Sequence, residues 1–350
     1  MYRDLRQSIE QGMAGDNEGL VISLGEMNPI SRLGKAFTFG PGKYVTLGGP
    51  GGVGKTSFAL YRFIFIPILA YLKKQSRFDP YFIYHLTERQ VRFMEAKLLA
   101  MLIYHGERLI YDVPTILQMS HKSKDLSDND ISIFDKYGST LDKMLGHIYF
   151  HPGAASLLSM AEIQKTHLKR TAGSGKIVGH FTDHVNNITG EGMGEKQILS
   201  EHSDNMKMYR DVHNWFTFDI SQFNREVEND YRVLKRGVRV KKSDWFGSSK
   251  FQMNCDLMLG ILDPKDYDVN KYPCEEGVKD SFDMFQTTND QGYNRFRALW
   301  IAKNNDGKAS TYIPMAFAGE SGVSSEMPPA GLMRSYDYAQ VASGMFLPDR

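Results

Sequence analysis

The chain has 350 residues, of which 41% are hydrophobic and 12% aromatic, which excludes a disordered protein and allows one large domain or two small ones. Its 42 Lys and Arg residues balance 41 Asp and Glu residues, so nucleic-acid binding through the field of the whole molecule is excluded and only a local basic patch could support it. Two cysteines, Cys255 and Cys274, exclude a disulfide framework and fit a reducing cytoplasm.

Residues 1–20 predict a short N-terminal helix and a linker that precede the main domain. Tyr2, Leu5, Ile9 and Met13 share one face of this helix, and a stretch rich in Gly, Asn and Asp follows it. The apolar face either packs on its own domain or docks as an arm on a neighbouring subunit. The polar N-terminus carries no secretory signal.

Residues 58–72 form an apolar run that raises the question of a membrane span. The run is shorter than the roughly 20 residues that a spanning helix needs. Arg62 and Pro67 also interrupt it. We therefore expect a buried helix in a soluble, cytoplasmic protein that has no membrane partner.

From about Lys43 onward, apolar strands alternate with helical stretches, which is typical of a mainly parallel, twisted sheet with helices on both faces. The predicted strands are residues 44–47, 81–86, 147–151, 177–183, 215–221, 257–262, 297–302 and 311–317. Helical character extends over about residues 89–146. Residues 321–350, rich in Ser, Gly, Pro and Met, predict a loosely packed tail.

A phosphate-binding loop is the strongest motif in the chain. Gly49, Gly54, Lys55 and Thr56 form G-x-x-x-x-G-K-T between the strand-like KYVTL and the helical SFALYRF. Such glycines let backbone N–H groups surround phosphates at a helix N-terminus. Lys55 would reach the β- and γ-phosphates of ATP, and the Thr56 hydroxyl would coordinate Mg²⁺. The predicted nucleotide-binding residues are Gly49, Pro50, Gly51, Gly52, Val53, Gly54, Lys55, Thr56 and Ser57.

Two acidic residues are candidate partners of the nucleotide. Asp183 ends the strand-like run KIVGHFTD and would complete the Mg²⁺ site. An aspartate at a strand end is by itself more often a turn former or a cap, and it is the position of Asp183 in the strand order that favours the Mg²⁺ role. Glu88 follows the strand YFIYHLT and would orient the attacking water. The alternative is a first-turn glutamate that the helix dipole favours.

Together these segments resemble the motor domain of DnaB-type hexameric replicative helicases, particularly compact phage versions. The matching segments, in order, are GGPGGVGKTS, YFIYHLTERQ, FTDHVNNI, ISQFNREVE, SDWFGSSKFQMNCDLMLGILDP and IAKNNDG. The resemblance covers about residues 20–320 and implies an α/β, RecA-like P-loop NTPase fold. It also implies ATP and Mg²⁺ as cofactors, a homo-hexameric ring, single-stranded DNA as the track, and a primase or helicase loader as further partners.

The resemblance also implies roles for individual positions. Gln222 would sense the γ-phosphate and relay its presence to DNA-binding loops, with His184 and Arg225 as coupling residues. Lys303 would reach across the subunit interface towards the nucleotide of the neighbour.

The chain departs from the family pattern at two positions. Asn305 stands where the family has an arginine finger, a residue worth several powers of ten in rate, and Arg295, Arg297 or Lys308 could substitute for it. Thr87 precedes the candidate Glu88 where the family has an aliphatic residue, which leaves the register of that glutamate open by one position.

A basic run follows Gln222 and is the candidate DNA-binding surface. Its residues, with one more from the following turn, are Arg232, Lys235, Arg236, Arg239, Lys241, Lys242 and Lys250. A charge run of this kind is either a solvated face or, after a γ-phosphate sensor in a ring motor, a loop that contacts the phosphates of single-stranded DNA.

The sequence therefore predicts an N-terminal arm and linker (residues 1–20), a RecA-like motor domain (21–320) and a tail (321–350). The predicted function is an ATP-dependent replicative DNA helicase, encoded by a phage or plasmid and working in the host cytoplasm. Two alternatives remain: a RecA-type recombinase or recombination mediator, and a regulatory ATP-binding protein without motor activity.

Overall fold

The computed structural model describes residues 32–37, 39–119, 125–153, 155–224, 238–245, 249–273 and 280–346, with Arg6 and Val227 in addition. Its helices are α1 (Arg32–Ala36), α2 (Lys55–Leu60), α3 (Ile66–Leu72), α4 (Val91–Glu107), α5 (Val113–Ile116), α6 (Asp128–Leu145), α7 (Leu157–Thr171), α8 (Glu195–His213), α9 (Ser249–Asn254) and α10 (Ser335–Ser343). Its strands are β1 (Tyr44–Gly49), β2 (Pro80–Leu86), β3 (Ile148–Pro152), β4 (Ile177–Asp183), β5 (Phe216–Gln222), β6 (Leu257–Leu262), β7 (Lys271–Tyr272), β8 (Phe282–Asp283), β9 (Phe296–Asn304), β10 (Thr311–Ala318) and β11 (Val323–Glu326).

Nine of these strands form one sheet in the order β11-β10-β9-β6-β1-β5-β4-β2-β3. Strands β1 to β6 run parallel to one another, while β9, β10 and β11 extend the sheet as antiparallel strands. The eight strands predicted from the sequence are confirmed, each within two residues at either end. The mainly parallel α/β fold is therefore confirmed as well.

Aromatic side chains fill the core beneath the parallel strands, of which β1, β2 and β4 are buried along their length because helices cover both faces. The Phe63 ring lies 4.8 Å from the Phe218 ring, and Phe218 stacks 5.1 Å from Phe181. Phe63 belongs to a π-helical stretch, Tyr61–Phe65, that joins α2 to α3. The helix that opens at the phosphate-binding loop is thus the central packing partner of the sheet.

The continuous helix Lys55–Leu72 is long and apolar enough to cross a membrane by length and composition, but 83% of it is buried inside the protein. A core helix passes the same test, and the segment contains the run predicted to be a buried helix. Within the described ranges no second helix meets the criterion.

Residues that follow Ala318 continue the sheet where the sequence predicts a loosely packed tail. Strand β11 pairs antiparallel with β10, and residues 321–327 are buried. The carboxylate of Glu326 in β11 accepts hydrogen bonds from the backbone N–H groups of Arg32 (2.7 Å) and Leu33 (3.2 Å) in α1. The predicted tail therefore begins with a strand of the main sheet.

The helix predicted at residues 1–20 lies almost wholly outside the described residues, Arg6 excepted.

Two buried histidines in neighbouring strands are held in their neutral forms. The rings of His85 (β2) and His180 (β4) lie 4.8 Å apart, and both residues are fully buried. Burial lowers the pKa of His85 to about 3 and that of His180 well below its usual value. Neither ring nitrogen of His85 has a hydrogen-bond partner among the described residues.

We expect this arrangement to make the fold sensitive to acid. The folded pKa of His85 is below the ordinary value near 6.5, so the unfolded chain binds more protons between about pH 6.5 and 3. The contribution of neutral His85 to the free energy of unfolding is therefore fully present above about pH 6.5 and is lost as the pH falls towards 3. When the pH is lowered from 7.5 to 5, the free energy of unfolding of the wild type should therefore fall by about 2 kcal/mol more than that of His85→Leu.

Urea unfolding at the two pH values measures this difference. His213→Gln is the matched control, because the His213 side chain is partly exposed at the end of α8. An equal dependence on pH in the His85→Leu variant and the wild type would contradict a neutral, buried His85.

Candidate active site

Four adjacent parallel strands bring the predicted nucleotide residues to one edge of the sheet. Gly49 at the end of β1 is in register with Gln222 at the end of β5. Asp183 at the end of β4 pairs with Ile220 of β5 and with Leu86 of β2. Glu88 lies two residues beyond the end of β2. Because the carboxyl ends of parallel strands share an edge, residues as far apart in the chain as Gly49 and Gln222 converge here.

The phosphate-binding loop, residues 49–57, leads from β1 into α2 through backbone that only glycine adopts readily. Gly52 has a φ of +74° and Gly54 a φ of +102°. A Cβ atom on Gly51 or Gly52 would meet no atom within 4 Å, whereas one on Gly54 would lie 2.5 Å from the Phe317 ring. The loop is therefore open on the side of Gly51 and Gly52 and packed tightly at Gly54.

The side chain of Lys55 lies inside this loop. Its Nζ donates hydrogen bonds to the carbonyl oxygens of Gly49 (3.0 Å) and Pro50 (2.7 Å). Burial lowers the pKa of Lys55 to about 8, while the negative charges of Asp183 and Glu88 act in the opposite direction. The ammonium group is thus a buried positive charge at the loop, with two carboxylates nearby.

Asp183 supplies a buried carboxylate to the site. Its Oδ2 accepts a hydrogen bond of 2.9 Å from the Tyr84 hydroxyl. Its Oδ1 lies 3.2 Å from His184 Nε2 but makes no well-formed hydrogen bond within the described part of the chain. Burial raises the pKa of Asp183, and His184, the Thr56 hydroxyl and Tyr84 each lower it.

These features fit a nucleotide with Mg²⁺. An open glycine loop at a helix N-terminus suits phosphate groups. The Thr56 hydroxyl and the incompletely bonded Asp183 Oδ1 are the oxygen ligands that Mg²⁺ prefers. Thr56 and Asp183 are the residues that would hold the ion.

Glu88 is placed at the rim of the site by its neighbour Thr87. The Thr87 hydroxyl donates to the Asp183 carbonyl (2.9 Å) and accepts from the His184 N–H (2.8 Å), which ties the end of β2 to the end of β4. The Glu88 side chain is 43% exposed, with Oε1 3.9 Å from His184 Nδ1. Asn187 Nδ2 donates 3.2 Å to the same oxygen. A hydroxyl at position 87 thus has a bonding role that an aliphatic residue could not fill.

Gln222, the predicted γ-phosphate sensor, lies at the same edge, and so does His184, a predicted coupling residue. The Gln222 backbone N–H donates 3.1 Å to Asn186 Oδ1, and the Gln222 residue is exposed. Burial lowers the pKa of His184, opposed by Asp183 and Glu88. Arg225 lies outside the described residues.

Lys303 lies at the opposite edge of the sheet, in register with Met258 near the start of β6. Its Nζ donates to the carbonyl oxygens of Gln252 (2.6 Å) and Cys255 (2.5 Å) in its own chain. Asn305 follows β9 and donates to Asp256 Oδ1 over 3.3 Å. The structure therefore separates Lys303 from the phosphate-binding loop of its own chain.

Three residues are candidates to replace the arginine finger that is missing at Asn305, and two of them form ion pairs within their own chain. Arg295 forms a bidentate ion pair with Glu320 (2.7 and 2.8 Å). Arg297 pairs with Asp263 at 2.7 Å and also contacts the phosphate-binding loop. Lys308 is exposed on the loop between β9 and β10. Its position makes it the accessible cation of that loop.

One basic residue at the site, Lys97, was missed by sequence reasoning, and Arg297, named there only as a replacement for the arginine finger, contacts the phosphate-binding loop of its own chain. Lys97 in α4 donates a hydrogen bond to Ser57 Oγ, and burial lowers its pKa to about 8. Arg297 donates to the Val53 carbonyl over 3.0 Å. No local pattern marks either residue, because each contact depends on how distant elements pack.

The described part of the predicted DNA-binding run alternates between buried and exposed side chains. Val238 and Val240 are buried, whereas Arg239, Lys241 and Lys242 are exposed. The other members, Arg232, Lys235 and Arg236, lie outside the described residues, and Lys250 is paired with Asp204 at 2.6 Å.

Trp245 belongs to the core and is only 4% exposed. Its Nε1 donates 3.1 Å to Thr46 Oγ1 in β1, and its ring lies 5.0 Å from the Phe223 ring. This packing places the basic segment next to the end of β5 and keeps the Trp245 ring inside the core.

No protein-family model and no curated protein matches the chain. Among solved structures, it is similar to one described as the ATPase domain of G40P, with a TM-score of 0.66, 15% identity, and coverage of 93% of this chain and 98% of that chain. It is also similar to a structure of a DnaB-like replicative helicase and its interactions with primase, with a TM-score of 0.57 and 17% identity, covering 81% of this chain and 58% of that chain. The chain therefore spans a little over half the length of the second protein. At the level of the fold, the resemblance inferred from the motifs is confirmed: the chain has the RecA-like α/β fold of these ATPase domains.

Proposed function

We propose that the chain is the ATP-hydrolysing motor of a replicative-type DNA helicase and moves on single-stranded DNA. The observation that carries this proposal is the meeting of Lys55, Thr56, Asp183, Glu88 and Gln222 at one sheet edge. The same fold occurs in the ATPase domain of G40P and in a DnaB-like replicative helicase.

The chemistry follows from what each side chain can do. The N–H groups of the phosphate-binding loop and Lys55 bind the phosphates, while Thr56 and Asp183 hold Mg²⁺. Bound Mg²⁺ supplies positive charge that offsets the charge of the phosphoryl oxygens. Glu88, an exposed carboxylate near the buried His184, orients a water molecule and accepts its proton.

A series of contacts connects Gln222, the proposed γ-phosphate sensor, to the basic segment at residues 238–245. After Gln222, the Phe223 ring packs on Trp245, and the Asn224 N–H donates 2.8 Å to the Asp244 carbonyl. Asn224 Nδ2 also donates 2.7 Å to the Ser243 carbonyl. A shift of Gln222 on loss of phosphate therefore moves the segment that carries the exposed lysines 241 and 242.

The working assembly that we propose is a homo-hexameric ring in the cytoplasm of a host cell, with a primase or a loader as further partners. One nucleotide would lie at each subunit interface. Lys303, or the exposed Lys308 on the loop between β9 and β10, would face the nucleotide of the neighbour, and Arg225 would contact the interface.

The decisive test is the steady-state ATPase rate with and without single-stranded DNA at low and high salt. We expect DNA to stimulate the rate and salt to weaken the stimulation. The affinity for single-stranded DNA, measured over a range of salt concentrations, tests the basic segment. In Lys241→Ala/Lys242→Ala the plot of log affinity against log salt should be less steep by about 1.4, because two phosphate contacts are lost. A rate that ignores DNA would contradict the motor.

Lys165→Ala/Lys169→Ala is the matched control, since these two lysines are exposed on α7 and do not belong to the proposed DNA-binding run. The control should keep the salt slope of the wild type. An equal loss of slope in both double variants would mean that the lysines at 241 and 242 contribute only to general charge.

A regulatory ATP-binding protein without motor activity is the second candidate. The observation that favours it is the bonding of Lys303 and Asn305 to groups of their own chain, since neither is then free to act on a neighbouring nucleotide. Strand separation on forked DNA would exclude this candidate. A recombinase would form extended filaments on DNA in electron micrographs, whereas the proposed motor forms closed rings.

A further inference from the structure

We propose that Arg297 is a positioning residue that fixes the phosphate-binding loop from behind, an inference that rests on the proposed nucleotide site. Arg297 lies near the start of β9, and β9 runs antiparallel to β6, with Ala298 in register with Leu262. The start of β9 therefore reaches the edge where β6 ends, which is the edge of the phosphate-binding loop. There Arg297 Nε donates 3.0 Å to the Val53 carbonyl.

The guanidinium group is held in one orientation by several acceptors. The two N–H groups of Nη1 are shared among three acceptors: Asp263 Oδ2 (2.7 Å), the Asn294 carbonyl (2.8 Å) and the Phe296 carbonyl (2.7 Å). Asp263 is itself fixed, because its Oδ1 accepts 2.6 Å from Asn294 Nδ2. The Arg297 side chain is 12% exposed. An ammonium group cannot reproduce these contacts, because it lacks the planar arrangement of N–H donors that a guanidinium group has.

A second strand holds the next residue of the loop. The Phe317 ring in β10 lies 5.4 Å from the Arg297 guanidinium carbon and fills the space beside Gly54. The peptide that joins Val53 to Gly54 is thus fixed at both ends, its carbonyl by Arg297 and its glycine by Phe317.

This geometry determines where the Gly54 N–H points. In a trans peptide the N–H and the carbonyl point in opposite directions. Because the Val53 carbonyl faces Arg297, the Gly54 N–H faces away from it, and we assign that N–H to the phosphates. Arg297 therefore prepares a phosphate donor in advance and acts through the loop without touching the nucleotide.

The test compares Arg297→Lys with Arg295→Lys. Arg295 is two residues away and similarly buried (7% exposed), but its guanidinium pairs with Glu320. In Arg297→Lys we expect the Kd for a fluorescent ADP analogue with Mg²⁺ and the KM for ATP to rise about tenfold, with kcat within about twofold of the wild type. Arg295→Lys should leave both constants unchanged.

The proposal is overturned if both variants weaken ADP binding equally, or if Arg297→Lys binds ADP as the wild type does. Circular dichroism and thermal unfolding report whether Arg297→Lys is folded. If it is not, Asp263→Asn decides, because it removes the charge that orients the guanidinium and should raise the Kd about threefold. An unchanged Kd in folded Asp263→Asn would overturn the proposal in that case.

The outcome is separable from that of the motor proposal. A wild-type protein that binds ADP but shows no DNA-stimulated hydrolysis would end the motor proposal and leave the role of Arg297 intact. A DNA-stimulated wild type with an unaltered Kd in Arg297→Lys would do the reverse.

Discussion

Lys55→Ala should lower the rate of ATP hydrolysis at least about a hundredfold, with and without DNA. The Lys55 ammonium is the buried positive charge of the phosphate-binding loop, and it lies among backbone groups that a phosphate would face. Removing one preorganised charge partner of a developing negative charge costs about 10²–10³ in rate. Phosphate release measured at saturating ATP, together with ADP-analogue binding, separates loss of turnover from loss of affinity.

Lys73→Ala is the control for this prediction, because Lys73 is an exposed residue just after the end of α3, outside the loop at residues 49–57. It should hydrolyse ATP at the wild-type rate. Retention of more than about a tenth of the activity in Lys55→Ala would show that the loop does not bind ATP for hydrolysis.

Glu88→Gln should reduce kcat about a hundredfold or more and leave the affinity for the ADP analogue nearly unchanged. Glutamine keeps the size of the side chain and can still accept the hydrogen bond from Asn187 Nδ2. It cannot accept a proton from water, a contribution worth about 10²–10⁴ in rate. Single-turnover hydrolysis measures the chemical step directly.

Glu95→Gln in α4 is the matched change, since it removes the same charge from the same region of the chain. It should have no effect on kcat. If Glu88→Gln also hydrolyses ATP normally, Glu88 does not orient the attacking water. The alternative of a first-turn helix glutamate is already wrong, because α4 begins at Val91 and has no acidic residue in its first turn.

Much of the site follows from sequence because it depends on local patterns. The glycine spacing around Lys55 and the apolar strands that end at Asp183 and Gln222 predict both the loop and the edge at which these residues meet. The order of the strands then brings them together without any further information. Thr87, which departs from the family pattern, still occupies a bonded place between β2 and β4.

The remaining features depend on contacts that no local pattern encodes. Arg297 and Val53 are 244 positions apart, and Lys97 reaches Ser57 only because α4 packs beside α2. Lys303 is bonded to carbonyls at the end of α9, which the motif IAKNNDG does not indicate. Strand β11 has the sequence VSSE, too short and too polar to predict a strand, and it forms because β10 offers it a free edge.

The pairing of β11 with β10 has a consequence for any shortened version of this protein. Arg62, 6% exposed in the core helix, donates to Ser324 Oγ (3.1 Å) and to the Ser324 carbonyl (2.7 Å) of β11. A chain that is truncated after residue 320 would keep the Arg62 guanidinium buried without these acceptors. The backbone N–H and carbonyl groups of β10 that pair with β11 would also become exposed. Open strand edges of this kind join to one another, so the truncated protein would aggregate through β10 and would not fold as a smaller motor.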